Sequence, residues 1–512
     1  MEFIRYSYKT SQSEELESGA KRLLIRLNEL RNSRQPVQRL PPDVIIEIAT
    51  YVNGPSTNGG DQQPLMAMSQ VCRYWRQTLL LDTTSWSSIS SEFIELFPLF
   101  LERSGSRLFE INLTTGTLLP YTIQHIVPHT GRLGALRCDL EESDIAALQT
   151  LSQINLSPNL RTLSIKISTP PPFAPEAIEM AFLSGEMPTL RTLELLHFPI
   201  TPQFAGLKHL VEVRLEVGYS TLTNVLDLLS ANPSLEKVRL LGSFEDDDPR
   251  PTGSISMKHL KFFAVERCMP CLIFDKLTFL RKARVFIRYN TIPHLIPSGY
   301  TLPRSMARYP NLQGLTSLYA LITSNDTYVD LTGPNGSIAI QYANLQDGST
   351  LSSAIHALPT TGVTQLTCES HPALIGIEID KVVGMMDTLP YLEEIAFVHI
   401  GTTDIQNLLS ALTNTRGWRN LRRLKFVHCR QIADWIGQLI GVAGGREEEG
   451  LKLNTVTIVF DVFEEGEEVE FFGVLRALVG TLKLKEEAGQ GLRSAQAWDD
   501  DNCTTTTVSV PV

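Results

Sequence analysis

The chain has 512 residues; at roughly 150 residues per domain it is too long for one small module and fits about three domains, or a small domain followed by an extended array. Its composition, 43% hydrophobic and 20% charged, is that of ordinary globular proteins and excludes collagen, coiled-coil rods, porins and wholesale disorder. Forty-five basic against 56 acidic residues leave a net charge of −11, which opposes attraction to phosphate backbones and anionic lipid, so neither nucleic acid nor membrane is an expected partner.

Residues 1–10 lack the apolar core of a secretory signal, and no stretch approaches the roughly 18 uninterrupted apolar residues of a membrane span. Seven cysteines, most of them far apart, suit a reducing compartment rather than a disulfide framework. The expectation is a soluble protein of the cytoplasm or nucleus. Acidic runs such as Glu245 to Asp248, Glu447 to Glu449 and Asp499 to Asp501 read as solvated loops or tails.

Taken in chain order, the first segment (1–36) carries Leu16, Ala20, Leu23, Leu27 and Leu30 in alternating steps of four and three, which draw one stripe along a helix from Ser13 to Asn32. Two heptads are short for a coiled coil, and the stripe is expected to pack on the next module. Gln35-Pro36 ends this helix.

Residues 37–90 form a compact helical segment. Leu40-Pro41-Pro42-Asp43 starts a helix, because proline is tolerated in the first turn, where its missing N–H has no partner to lose. Val44, Ile45, Ile48 and Val52 make the apolar face of that helix. Residues 53–63 are a turn-rich loop. Leu65, Met66, Met68, Val71, Cys72, Trp75, Leu79 and Leu80 then resume helical spacing, and the segment closes at Trp86 and Ile89.

Over residues 91–485 an apolar L-x-x-L-x-L pattern recurs, and it decides the fold. Copies lie at Leu108/Ile111/Leu113, Leu133/Leu136/Cys138, Leu160/Leu163/Ile165, Leu190/Leu193/Leu195, Leu210/Val213/Leu215, Leu235/Val238/Leu240 and Leu260/Phe263/Val265. They return at Leu392/Ile395/Phe397, Leu421/Leu424/Phe426 and Leu453/Val456/Ile458, with weaker copies at Leu280/Ala283/Val285 and Val363/Leu366/Cys368. The first seven are spaced 20 to 30 residues apart, the length of a leucine-rich repeat. Alternating apolar positions indicate a strand with one face buried, and helix spacing returns in the connections 223–232 and 403–414. The fold class is therefore α/β: a short helical module followed by an irregular leucine-rich-repeat solenoid. Residues 290–360 lack a clean copy and read as a decorated or broken part of the array, and 486–512 as a disordered tail.

No nucleotide-cradling loop, dinucleotide fingerprint, H-E-x-x-H or nucleophile elbow is present. Cys268-Met269-Pro270-Cys271 has metal-site spacing, but a zinc site needs a second ligand pair and Cys268 occupies the repeat's own Asn/Cys position, so it reads as a structural thiol. No metal and no cofactor are expected. Arg161, Arg191, Arg214, Arg239 and Arg422 recur between apolar residues and read first as solvated strand residues that keep an exposed sheet soluble, with a basic stripe on one face of the solenoid as the alternative.

The segments Leu40-Pro41-Pro42-Asp43-Val44-Ile45-Ile46-Glu47-Ile48, Met68-Ser69-Gln70-Val71-Cys72-Arg73-Tyr74-Trp75-Arg76 and Ser85-Trp86-Ser87-Ser88-Ile89 together closely resemble an F-box, covering about 50 of the 512 residues. With its degenerate repeats the chain is similar to the F-box proteins of mushroom-forming fungi. The resemblance implies docking on the Skp-type adaptor of a cullin-RING (SCF) ubiquitin ligase, with Leu40, Pro41, Pro42, Val44, Ile45 and Ile48 facing the adaptor, joined by Val71, Cys72 and Trp75. It also implies a non-catalytic substrate receptor whose solenoid binds a protein substrate. Trp75 and Trp86 stand between two roles, adaptor contact and module interior. The loop 53–63 is longer than the motif's usual one, an insertion that loops tolerate cheaply. The rival readings are a scaffold with a degenerate F-box acting outside ubiquitination, and an enzyme whose site assembles within 290–360.

Overall fold

The computed structural model describes residues 2–52, 63–90, 95–113, 119–141, 158–168, 187–198, 200–216, 220–242, 254–266, 273–274, 276–279, 282–289, 309–322, 326–343, 358, 360–370, 379–414, 418–429, 431–460 and 468–486. The readings made for residues 53–62, for Cys268 and Cys271, and for the tail beyond 486 lie outside the described residues. The chain is mixed α/β, with helices and a large, mainly parallel sheet. It divides into two compact units, Met1–Phe279 and Leu280–Val512, so the helical module shares a unit with the first repeat strands.

The first unit begins with helix α1 (Glu2–Ser33), longer at its N-terminus than the apolar stripe indicated. After a 3₁₀ turn (Pro36–Arg39) come α2 (Pro42–Val52), α3 (Gln63–Val71) and α4 (Arg73–Leu81). Eight parallel strands follow, each hydrogen-bonded to the one before it: β1 (Ser88–Ser90), β2 (Phe109–Leu113), β3 (Leu133–Leu140), β4 (Thr162–Ile167), β5 (Thr192–Leu196), β6 (Glu212–Glu216), β7 (Lys237–Leu241) and β9 (Phe262–Glu266). Strands β8 (Ile255–Met257) and β10 (Leu277–Phe279) form a separate parallel pair.

The repeated apolar positions stand in register. Ile111, Leu136, Leu163, Leu193, Val213, Val238 and Phe263 make one row across the sheet, and Leu113, Cys138, Ile165, Leu195, Leu215, Leu240 and Val265 the next. All of these are buried, while the residues between them face the other side, as the two-residue period of a strand requires. Each fully buried aliphatic side chain contributes about 1.5–3 kcal/mol, so the rows dominate the unit's stability. Helix α5 (Phe97–Arg103) follows β1, α6 (Leu119–Ile126) connects β2 and β3, and α7 (Leu222–Ala231) connects β6 and β7. Thr221 caps α7 by accepting from the Asn224 N–H (3.2 Å), and the helix buries Val225, Leu226, Leu228 and Leu229.

In the second unit, β15 (Gln365–Ser370), β16 (Glu394–Val398), β17 (Arg423–Val427), β18 (Thr455–Phe460) and β19 (Thr481–Glu486) repeat the parallel in-register scheme. Between them lie α8 (Ile379–Asp387), α9 (Thr402–Asn414), α10 (Ile432–Glu448) and α11 (Glu468–Leu478). Trp435 of α10 stacks at 4.7 Å on Phe426, which lies 5.5 Å from Phe397. The irregular stretch has a specific cause. Strands β12 (Ser317–Ile322), β13 (Asp326–Gly333) and β14 (Gly336–Ala343) form an antiparallel meander. Its β14 edge pairs in parallel with β11 (Arg284–Tyr289), and its β12 edge in parallel with β15. The local strand order is thus β11-β14-β13-β12-β15, and the chain runs backwards once through the sheet.

Side chains just before the first leucine of a repeat tie neighbouring turns together. Asn159 donates to the Gly131 carbonyl (2.9 Å), Thr189 to Leu160 (2.9 Å), Ser234 to Leu210 (3.2 Å) and Asn420 to Pro390 (3.0 Å). Turn carbonyls that enter the interior also need partners. Buried Asn232 donates to the Leu207 and Leu228 carbonyls (2.8 and 2.9 Å) and accepts from the Leu210 N–H (3.0 Å). Arg446, 6% exposed, does the equivalent work for Trp418 and Leu421 (3.1 and 2.9 Å).

Candidate functional site: the helical module

The module from Leu40 to Ile89 is built on few buried groups: Ile45 and Ala49 of α2, Leu65, Met68 and Ser69 of α3, Trp75, Thr78 and Leu79 of α4, and Trp86 and Ile89 after it. Pro42 opens α2, and the Ile45 N–H makes the helix's first bond to the Pro41 carbonyl (3.2 Å). The Leu40 carbonyl accepts from the Tyr74 hydroxyl (2.9 Å), which fixes the L-P-P-D turn against α4. Cys72 is the N-cap of α4. Its sulfur accepts from the Trp75 N–H (3.4 Å) and lies 2.9–3.0 Å from the Gln38 side-chain amide, so it is a local clasp. Arg76 closes the α3–α4 corner by donating to the Ser69 carbonyl (2.9 Å).

The far end of α4 is held by Asp82, whose carboxylate accepts from the Thr84 N–H (3.2 Å) and the Ser85 N–H (2.9 Å). Burial works against its charge, but these bonds from Ser85 and Thr84 outweigh it and hold the acid below its ordinary value. Trp86 follows, 1% exposed. Its indole N–H donates to the Leu79 carbonyl (2.7 Å), its ring meets Phe100 edge-on at 5.0 Å, and the Arg103 guanidinium lies 4.2 Å over it.

The residues assigned to adaptor contact therefore divide. Pro41, Pro42 and Val71 are exposed, and Leu40, Val44 and Ile48 are half-buried, so all six are reachable from solvent. Ile45 is fully buried and Trp75 is 8% exposed, so both pack inside the module and offer a partner no surface. Cys72 is half-buried and engaged as a cap. Trp75 thereby settles as interior, as does Trp86. Tyr51 (89% exposed) and Leu81 (83% exposed) are two further large apolar side chains that the module leaves open. Val44, Ile48 and Tyr51, at steps of four and three, make one outward stripe of α2, about a third of a turn round the helix from the buried Ile45 and Ala49; that spacing was available in the sequence.

The expected packing of the α1 stripe on this module does not occur. Leu16, Leu23, Leu27 and Leu30 are 76, 64, 57 and 58% exposed. A bridge from Arg73 Nη1 to Glu29 Oε1 (3.2 Å) links α1 to α4. Nor do the five arginines form one basic stripe. Arg161, Arg191 and Arg422 precede their strands, whereas Arg214 and Arg239 lie within theirs, a different row. The strand row is also neutralised: Arg214 meets Glu194 at 3.1 Å and Arg239 meets Glu266 at 3.4 Å. Lys166 adds a third charge beside Glu194 at 3.7 Å.

Little in the described structure resembles a reaction centre. Burial pushes the thiols of Cys138, Cys368 and Cys429 up to about 12, so they stay protonated and unreactive. A cleft of about 320 Å³ beside α7 is lined, among the described residues, by Leu226, Asp227, Ser230, Pro233, Ser254, Ile255 and Ser256, of which Asp227 is ionisable. Among the described residues no group of three or more His, Cys, Asp or Glu side chains is placed to hold a metal ion, and no helix is long and apolar enough to cross a membrane. Neither a protein-family model nor a curated protein matches this chain.

Proposed function

We propose that the chain is the substrate-recognition subunit of an SCF-type ubiquitin ligase. Residues 37–90 act as an F-box that docks on a Skp-type adaptor and through it on a cullin, and the repeats form a leucine-rich solenoid that binds a protein substrate. The observation that carries this reading is the outward apolar surface of so small a module. Pro41, Pro42, Val44, Ile48, Tyr51 and Val71 leave apolar surface to solvent on a unit with few core residues of its own. A surface of this kind is stabilised by burial against a partner.

The solenoid half is supported by parallel neighbours in chain order, by in-register apolar rows, and by the one-face burial of β5, β6 and β17, although small residues such as Ser164, Ala264 and Ala396 are buried on the other face of β4, β9 and β16. Parallel sheets of the doubly wound kind are buried on both faces and do not alternate in this way. In this role the chain carries out no bond chemistry. It raises the effective concentration of target lysines near the ubiquitin-loaded enzyme.

The test is capture of purified Skp-type adaptor by the full chain beside a Leu40→Ala/Pro41→Ala variant. The proposal expects capture by the wild type and its loss in the variant. If neither captures adaptor, the proposal fails and the second reading, a repeat scaffold with a degenerate F-box acting outside ubiquitination, takes its place.

A further inference from the structure

Helix α1 presents a long apolar surface that the fold leaves uncovered. Leu16, Ala20, Leu23, Leu27 and Leu30 share one side of the helix, and the four leucines are each more than half exposed. At 100° per residue, Glu29 lies on the opposite side from Leu27. The Glu29–Arg73 bridge therefore joins α1 to the module through the back of the helix and leaves the leucine side clear.

The charges beside the stripe say what covers it. With Ala20 and Leu27 as one core position of a heptad and Leu16, Leu23 and Leu30 as the other, the flanking positions hold Glu17, Leu24 and Arg31 on one side and Gly19 and Arg26 on the other. Two copies aligned in parallel would set Arg26 against Arg31 of the second copy, twice, with no attractive pair in return. Two antiparallel copies set Glu17 against Arg31, twice, and Leu24 against Leu24, with one Arg26–Arg26 contact. Like charges at these positions select against an arrangement, and opposite charges select for it.

The same residues argue against a lipid surface. From Glu15 to Arg31 four basic residues (Lys21, Arg22, Arg26, Arg31) face three acidic ones (Glu15, Glu17, Glu29). A helix that lies on anionic membrane carries a strongly cationic polar face.

We propose that α1 is a self-association helix, through which two copies of this chain pair antiparallel along the stripe from Leu16 to Leu30. The contact spans about 21 Å of helix at 1.5 Å per residue, which is two heptads, a short seam that suits a reversible dimer rather than an obligate assembly. Because Arg73 ties each helix to its own module, the pair holds two helical modules at opposite ends. The association stands whether or not those modules dock on an adaptor.

The test is sedimentation velocity of the full chain from about 1 to 100 µM, a span that brackets a dissociation free energy of roughly 7 kcal/mol. The wild type is expected to shift reversibly from monomer to dimer, and Leu23→Glu/Leu27→Glu to remain monomeric throughout. Both leucines are exposed, so this variant keeps its fold, which circular dichroism checks. Glu17→Arg and Arg31→Glu should each weaken the dimer by about 5-fold, since each turns two attractive pairs repulsive. An equimolar mixture of those two variants should regain wild-type affinity, because every facing pair is then opposite in charge. A wild type that stays monomeric, a dimer that survives the double leucine change, or a gain in affinity from Arg31→Glu, as a parallel pair requires, would each overturn the proposal. So would binding of the monomer to phosphatidylserine vesicles through the same leucines.

Discussion

Two tryptophans of the helical module look alike in sequence and differ in what their substitution removes. The Trp86 N–H is bonded to the Leu79 carbonyl and its ring carries the Arg103 guanidinium. Among the described residues the buried Trp75 Nε1 has no hydrogen-bond partner. Trp86→Phe should therefore cost about 1–3 kcal/mol, the loss of a satisfied bond and a cation–π contact. Trp75→Phe should stay within about 1 kcal/mol of wild type, because removing an unpaired donor offsets the lost volume. Urea unfolding midpoints check both, and a reversed order would contradict the account. Asp82 makes a prediction about acid. Its folded value lies below its unfolded one, so its contribution is complete above the unfolded value of about 3.9 and is lost as pH falls through the folded value. Asp82→Asn should destabilise the chain at neutral pH and flatten the acid side of its stability profile. An unchanged profile would show the Thr84 and Ser85 bonds to be incidental.

At the scale of elements, the repeat strands were legible because each needs one buried face, and the leucine, valine and phenylalanine rows announce it. Even the weaker copy at Val363/Leu366/Cys368 takes its place in β15, in register with Ile395 and Phe397. Two copies escaped notice. Ile89 in β1 aligns with Ile111, its first apolar position filled by Trp86, and Leu482 in β19 aligns with Val456. In both cases a bulky or short-branched residue replaces the leading leucine. The β12–β14 meander could not be read at all, since period-two patterning is the same for parallel and antiparallel neighbours. What holds consecutive repeats together is polar and falls outside the apolar pattern. Asn232 makes three buried bonds to two turns, so Asn232→Ala should cost about 3 kcal/mol by leaving those groups unpaired. Thermal unfolding measures this, and a loss below about 1 kcal/mol would mean the turns relax or admit water.

Over the whole molecule, the α/β class and the repeat strands followed from spacing alone, whereas the surface of the module did not. Helical periodicity identifies which residues are apolar but not which neighbour covers them. Ile45 and Val44 are adjacent and similar, yet only the α3 and α4 packing makes one core and the other surface. The α1 stripe was misjudged for the same reason, since its pattern fits a helix packed within the chain as well as one left open to a second copy. For the arginines, the apolar pattern did not show which of them share a row or that strand glutamates meet Arg214 and Arg239. The central claim, that the outward side of the module docks on an adaptor, is tested most directly by calorimetric titration of purified Skp-type adaptor into the full chain and into Val44→Glu/Ile48→Glu. Both positions are only half-buried, and circular dichroism checks that the variant remains folded. The account predicts saturable one-to-one binding by the wild type and a loss of about 30-fold or more in the variant, the effect of charging a hot spot. Equal affinity for both, or no heat of binding to the folded wild type, would contradict it.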